Sequence, residues 1–406
     1  MKPPPDRSVI RPRRLRAVHL LGALCGAGIA ALLLADCERE RAPRGERLDA
    51  AGGGAPAQSG AATASAPVRP APSSPQPKPV PVPPAGWGEK RVWTGTLAEQ
   101  NELLFAELAY FHGLGKDKLA ELRRIFAESG VIGQGNLAAA RHPMSPAECE
   151  AKLEQADVRY EDERSERICG SRFMAPLYDP EAQKPEQAAA CIDRLEFPNI
   201  PCRYPVTWVR ANEAVEICRL MGKRLCDAHE WEGACAGRLT PPDYDFGLVE
   251  KMSLEDAMHL MRSRHNSRAD KEKIWSYGDA YRKGICATGS AKSKSCTTGG
   301  WRQCGTNTYP AGSFPECRSA LGVYDLHGNA AEHMNLPMRQ REMASAGSQE
   351  YGYTEMKGSW FVFDQIYAHP DHCRWRAPFW HGGKVMSPAS HRNYHLGFRC
   401  CKTLGR

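Results

Sequence analysis

The sequence predicts an α+β protein, loop-rich and stapled by disulfides, with a small helical region ahead of its main domain. Three observations predict it. Two apolar patterns at helical spacing follow one another between Leu97 and Ser129. Short apolar and β-branched runs, Pro205 to Val209 and Val323-Tyr324, carry strand character and lie close to turn residues. Fourteen cysteines run from Cys149 to Cys401, an even number that permits seven bridges.

The bulk numbers set bounds. The chain has 406 residues, 42% hydrophobic and 25% charged, which is ordinary globular composition. Net charge is +7, but Arg11, Arg13, Arg14 and Arg16 supply part of it. No basic stripe with interleaved aromatics is present, so nucleic acid is not expected as a partner. The cysteines include no Cys-x-x-Cys pair, which argues against a zinc ribbon and for disulfides formed in an oxidising compartment.

Residues 1–37 read as an export signal or membrane anchor: arginines, then a weakly apolar run from Ala17 to Leu34. Leu34-Ala-Asp-Cys37 resembles a lipoprotein signal, although Asp36 departs from its small residue. Uncleaved anchor and lipidated Cys37 stay open. Both put the folded part outside the cytoplasmic membrane. Residues 38–86, rich in Ala, Pro, Gly and Ser, read as an extended spacer.

Residues 87–185 form the helical accessory region. Leu103, Leu104, Leu108 and Phe111, then Leu119, Leu122, Ile125 and Phe126, mark two helices separated by Gly113-Leu-Gly115. Ser145 is positioned as the N-cap of a short helix. Cys149 and Cys169 bracket that helix and are expected to staple it to the main domain. His112 and His142 stand alone and read as packing residues.

Residues 186–406 form the main domain. Pro205 to Val209 is expected as a buried strand. Ala211 to Met221 is expected as a helix with Ala214, Ile217 and Cys218 on one face, ended by Gly222. Asp227 with Glu230 three residues on is a capping-box pattern, opening a helix that turns Trp231, Ala234 and Cys235 to the core. Asp243 to Asp270 looks like an insertion with a helical middle, Leu254 to Met261.

The stretch from Gly322 to His333 carries the chemistry. His327-Gly328-Asn329 is a turn tripeptide in which Gly and Asn tolerate positive φ. Asp325 and Glu332 flank it, with the carbonyls of Gly328 and Ala330 between, a mixture of oxygens that suits calcium. A hairpin corner whose Asp caps backbone N–H groups explains the same residues. Histidines gather late, at His369, His372, His381, His391 and His395, and read as solvated or hydrogen-bonding loop residues. No Gly-x-Ser-x-Gly elbow and no phosphate-cradling loop occurs.

An ordered series of blocks gives this stretch its context: Pro205-Val-Thr-Trp-Val, Gly222-Lys-Arg-Leu, Glu230-Trp-Glu-Gly-Ala-Cys, Gly358-Ser-Trp360, Cys373-Arg374 and Gly397-Phe-Arg-Cys400. From about residue 186 to 401 the chain resembles the formylglycine-generating enzyme family, or sulfatase-modifying factor domains. The resemblance implies a variant of the C-type lectin fold, and it makes Cys191 to Asn199 the opening strand and turn. It implies a calcium site at Asp325, Gly328, Ala330 and Glu332. A first family calcium site would fall near Cys286-Ala287, where Cys286 replaces its Asn. The family's oxidative chemistry uses copper on two cysteines, two and seven positions after the residue matching Trp360. Here those positions hold Val362 and Tyr367. Cys373 is expected, as in non-catalytic relatives, to pair with Cys400 or Cys401. The functional expectation is therefore a degenerate member: an exported, membrane-tethered binding module for a peptide or glycan ligand in the cell envelope. The alternative is an oxidoreductase of the same type, with copper or non-haem iron.

Overall fold

A computed structural model describes residues 95–377 and 382–405. The expected anchor and spacer, residues 1–37 and 38–86, lie outside the described residues. Among the described residues no helix is long and apolar enough to cross a membrane.

The helical hairpin forms where the spacing places it. Helix α1 is Leu97–His112 and α2 is Lys116–Ser129. Glu99 and Thr96 cap α1 reciprocally, and Gly113 and Gly130 end the two helices in the left-handed region. Leu104, Leu108, Leu122, Ile125 and Phe126 are buried together with Ala214 and Ile217 of α5 (Ala211–Leu220). The hairpin thus shares a core with the domain that follows.

Ser145 caps α3 (Pro146–Gln155), and α4 (Glu163–Cys169) follows. Both are stapled to the main domain as expected, by Cys149–Cys202 and Cys169–Cys191.

The domain has two small sheets. One is four-stranded, in the order β1 (Met174–Leu177), β2 (Ala190–Asp193), β7 (Cys400–Thr403), β3 (Arg224–Leu225), all antiparallel. The other sets β4 (Ala331–Leu336) between β5 (Tyr353–Lys357), antiparallel, and β6 (Leu396–Phe398), parallel. Helix α6 (Ala228–Ala236) buries Trp231, Ala234 and Cys235 in a core shared with β1, β2 and β4. The insertion supplies α7, Leu254–Ala269, longer than the helical middle the sequence marks.

Two strand expectations are corrected. Pro205 to Val209 is buried but forms no strand, because its successive N–H groups go to different segments. Val206 donates to the Phe197 carbonyl, Thr207 to Gly133 and Trp208 to Asn393. Trp208 also takes φ +59°, which ends any extended run. Val323-Tyr324 keeps only an isolated bridge from Tyr324 to Arg318 before Asp325 turns to φ +53°.

Every described cysteine is in a disulfide. Cys218 on α5 reaches Cys400, and Cys226 just after β3 reaches Cys401, so α5 and the end of β3 are both tied to β7. Cys373 pairs with Cys235, not with Cys400 or Cys401. Those two cysteines point to opposite faces of one strand and already have partners there.

Candidate functional site

The corner from Asp325 to Glu332 is buried throughout. Gly328, at φ +77°, lies so close to Ala287 that a Cβ would stand 2.5 Å from its carbonyl oxygen, so glycine is required. Asn329, at φ +53°, donates its N–H to that same carbonyl at 2.8 Å. Its side-chain amide and the N–H of Ala330 both bind Glu196, each at 2.7 Å. Asp325 accepts from the N–H of Gly312 through Oδ2 at 2.6 Å, while its buried Oδ1 has no hydrogen-bond partner among the described residues.

Glu332 begins β4 and is gripped by Arg399. Nε and Nη2 of Arg399 each lie 2.7 Å from one Glu332 oxygen, and Trp231 Nε1 donates to the same carboxylate at 3.1 Å. Arg399 also donates to the carbonyls of Asp193, Arg194 and Tyr324. Glu196, Asp325 and Glu332 thus act on one another within the core, with one guanidinium among them. Burial pushes Asp325 up to about 6. Burial first, then Asp325 and Glu332, pushes Glu196 well above the usual carboxylate range. Glu332 is raised by burial against the pull of Arg399. An excess of buried negative charge beside an orphaned carboxylate oxygen is a setting in which a hard cation fits.

The segment after Trp360 is built differently. Val362 is fully buried in an apolar cluster with Trp208, Trp360, Phe361 and Tyr394. Tyr367 is 70% exposed. Cys373 is fully buried in its bond to Cys235, in a different core cluster from Val362, with His327 Nε2 3.3 Å from the Cys235 sulfur.

A family model described as "Sulfatase-modifying factor enzyme 1-like domain" matches residues 187–404, more than half of the chain. The chain belongs to this family. No curated protein matches it. Among solved structures, one titled "Crystal Structure of CarF" is similar at 13% identity and a TM-score of 0.28, covering 68% of this chain and 86% of that one. The α+β architecture, the small helical region ahead of the domain and the disulfides accord with the sulfatase-modifying factor variant of the C-type lectin fold.

Within this sulfatase-modifying factor domain the structure brings Asp325, Gly328, Ala330 and Glu332 into one corner. Sequence reasoning missed its other two members. Glu196 lies inside the opening turn Cys191 to Asn199, and Arg399 inside Gly397-Phe-Arg-Cys400; both stretches carry the family resemblance without announcing a charge role. Of the late histidines, expected as solvated or hydrogen-bonding loop residues, His369, His372 and His395 are hydrogen-bonded or packed on rings. His369 stacks on Trp375 with ring centres 4.7 Å apart, and His395 stacks on Trp360 at 4.8 Å. His372 bonds Asp270, His391 is exposed, and His381 lies outside the described residues.

Glu232, the last residue of Glu230-Trp231-Glu232, anchors a second buried network. Arg376 reaches it at 2.8 Å and Lys357 at 3.2 Å. Burial pushes its carboxyl up, but these two cations outweigh that and hold it at about 2. Glu232, His265 and Arg374 line a cleft of about 540 Å³ between α6, α7 and the chain after Cys373.

Proposed function

We propose that this protein is an exported, membrane-tethered member of the family whose domain works as a calcium-stabilised binding module and not as an oxidase. One observation carries the reading. The two positions that hold thiols in the copper-dependent enzyme are a packed valine, Val362, and a surface tyrosine, Tyr367. Monovalent copper needs soft sulfur ligands, and neither side chain offers one. Cys373, the nearest cysteine in sequence, is spent on Cys235. Seven disulfides support an oxidising compartment, and the arginines ahead of Ala17 to Leu34 support export. The ligand expected in that setting is a peptide or glycan of the envelope.

Calcium belongs to the same reading. Asp325, the carbonyls of Gly328 and Ala330, and Glu332 would hold it, with Arg399 sharing Glu332. The ion would neutralise the surplus carboxylate charge of the corner. The test is a thiol titration of the denatured full chain beside elemental analysis of the native protein. No thiols beyond Cys25 and Cys37, with calcium and without copper, is the expected result. Two further thiols accompanied by an equivalent of copper would overturn the reading.

A further inference from the structure

Three aromatic side chains stand at the surface beside the vacated thiol position. Tyr367 is 70% exposed, Tyr281 is 39% exposed, and Trp275 is half-buried next to them. They surround a pocket of about 240 Å³ that also meets Lys273, Pro370 and His372. Exposed apolar side chains scattered singly need no explanation, but a cluster around a concavity does.

The rings are fixed from beneath. Trp275 Nε1 donates to Asp371 at 2.9 Å, and Asp371 is itself held by Ser359 at 3.1 Å. The Tyr281 hydroxyl donates to Asp364, whose other oxygen accepts from Thr288 at 2.6 Å. Phe363 packs between the two tyrosines, with ring centres 6.2 Å from Tyr281 and 4.9 Å from Tyr367. Carboxylates that hold aromatic edges, the buried Asp371 and the half-buried Asp364, leave ring faces presented in place. A ligand that stacks there loses little to ordering the protein.

Charge and backbone decide the ligand. The pocket carries one ammonium, Lys273, and one carboxylate, Asp371. Burial, only partly offset by Asp270, lowers the His372 imidazole below its ordinary value. Lys273 offsets Asp371 within the lining, while Asp270 behind His372 and Asp364 behind Tyr281 are each engaged by those side chains, so an anion is not favoured. No strand contributes to it, so an extended peptide would find no ladder to join. A pyranose ring combines an apolar C–H face for stacking with hydroxyls that suit Lys273, whose ammonium has no hydrogen-bond partner among the described residues.

We propose that Trp275, Tyr281 and Tyr367 form a stacking platform for a neutral saccharide unit. This rests on the binding-module reading and names its site and ligand class. The test measures affinity on the full chain by calorimetry, with chitotetraose and cellotetraose as neutral probes and a proline-rich peptide as the competing class. Binding to at least one oligosaccharide is expected. Tyr367→Ala should weaken it about tenfold, the size of one lost aromatic contact, with Tm unchanged, while Tyr367→Phe keeps the affinity. Binding to neither oligosaccharide, affinity indifferent to Tyr367→Ala, or binding of the peptide alone would overturn the proposal. The thiol and metal tally is independent of these outcomes, so failure here is distinguishable from failure of the binding-module reading.

Discussion

The Asp325–Glu332 corner and the segment after Trp360 belong to one domain, and they have fared in opposite ways. At the corner Asp325, Gly328, Ala330 and Glu332 are buried and tied to partners across the fold. After Trp360 the two expected thiols are absent, and one of the positions has turned to solvent. The difference teaches which part of the family pattern serves the scaffold. Charged groups in the core cannot be dropped singly, because each leaves a partner buried without compensation. A thiol at the surface can be exchanged for a ring at little structural cost.

The largest effect is expected at Arg399. Arg399→Met takes from Glu332 its buried guanidinium partner and from Glu196 and Asp325 the nearby positive charge, and a loss of about 3–5 kcal/mol is expected by urea unfolding in calcium-free buffer. A loss no larger than that of a surface substitution would mean that the corner is not structural. Replacing Cys235 and Cys373 together by serine should cost about 2–5 kcal/mol, because the bridge closes 138 residues of chain. If Cys373 instead served chemistry, the same variant would lose activity at little cost in stability.

Asp325 makes the corner respond to pH. Its carboxyl is raised to about 6, above its value in the unfolded chain, so the folded protein binds the proton more tightly. Without calcium, its contribution is favourable at low pH and is lost as pH rises through about 6. Buried histidines such as His333, lowered by burial to about 4, give the opposite slope in that range. The difference between wild type and Asp325→Asn isolates the carboxyl. The variant should be the more stable at pH 7 without calcium, and the gap should close toward pH 4. Millimolar calcium should raise Tm in the wild type and not in the variant, read by calorimetry. The smallest effect belongs to Tyr367→Ala, expected within about 0.5 kcal/mol in urea unfolding because the side chain is mostly solvated.

Much of the scaffold was legible in the sequence. The hairpin followed from the spacing of Leu104, Leu108, Leu122 and Phe126. The capping residues Ser145 and Asp227, with Glu230, lie at the starts of their helices. These are local rules, readable within a few residues. The partner of Cys373 was not legible, because it lies 138 residues away. Neither was the failure of Pro205 to Val209 as a strand, since apolar content reports burial and not where each N–H group goes. At the corner, positive φ at Gly328 and Asn329 could be read from residue type, whereas Arg399 and Glu196 join it from distant chain positions.

The most direct measurement is oxygen uptake and aldehyde formation by the purified full chain, loaded with copper and given a Cys-x-Pro-x-Arg peptide. With Val362 and Tyr367 at the two thiol positions, the peptide cysteine should remain intact and oxygen uptake should equal that of the buffer. Copper-dependent formation of the aldehyde would contradict the claim that this domain binds and does not oxidise.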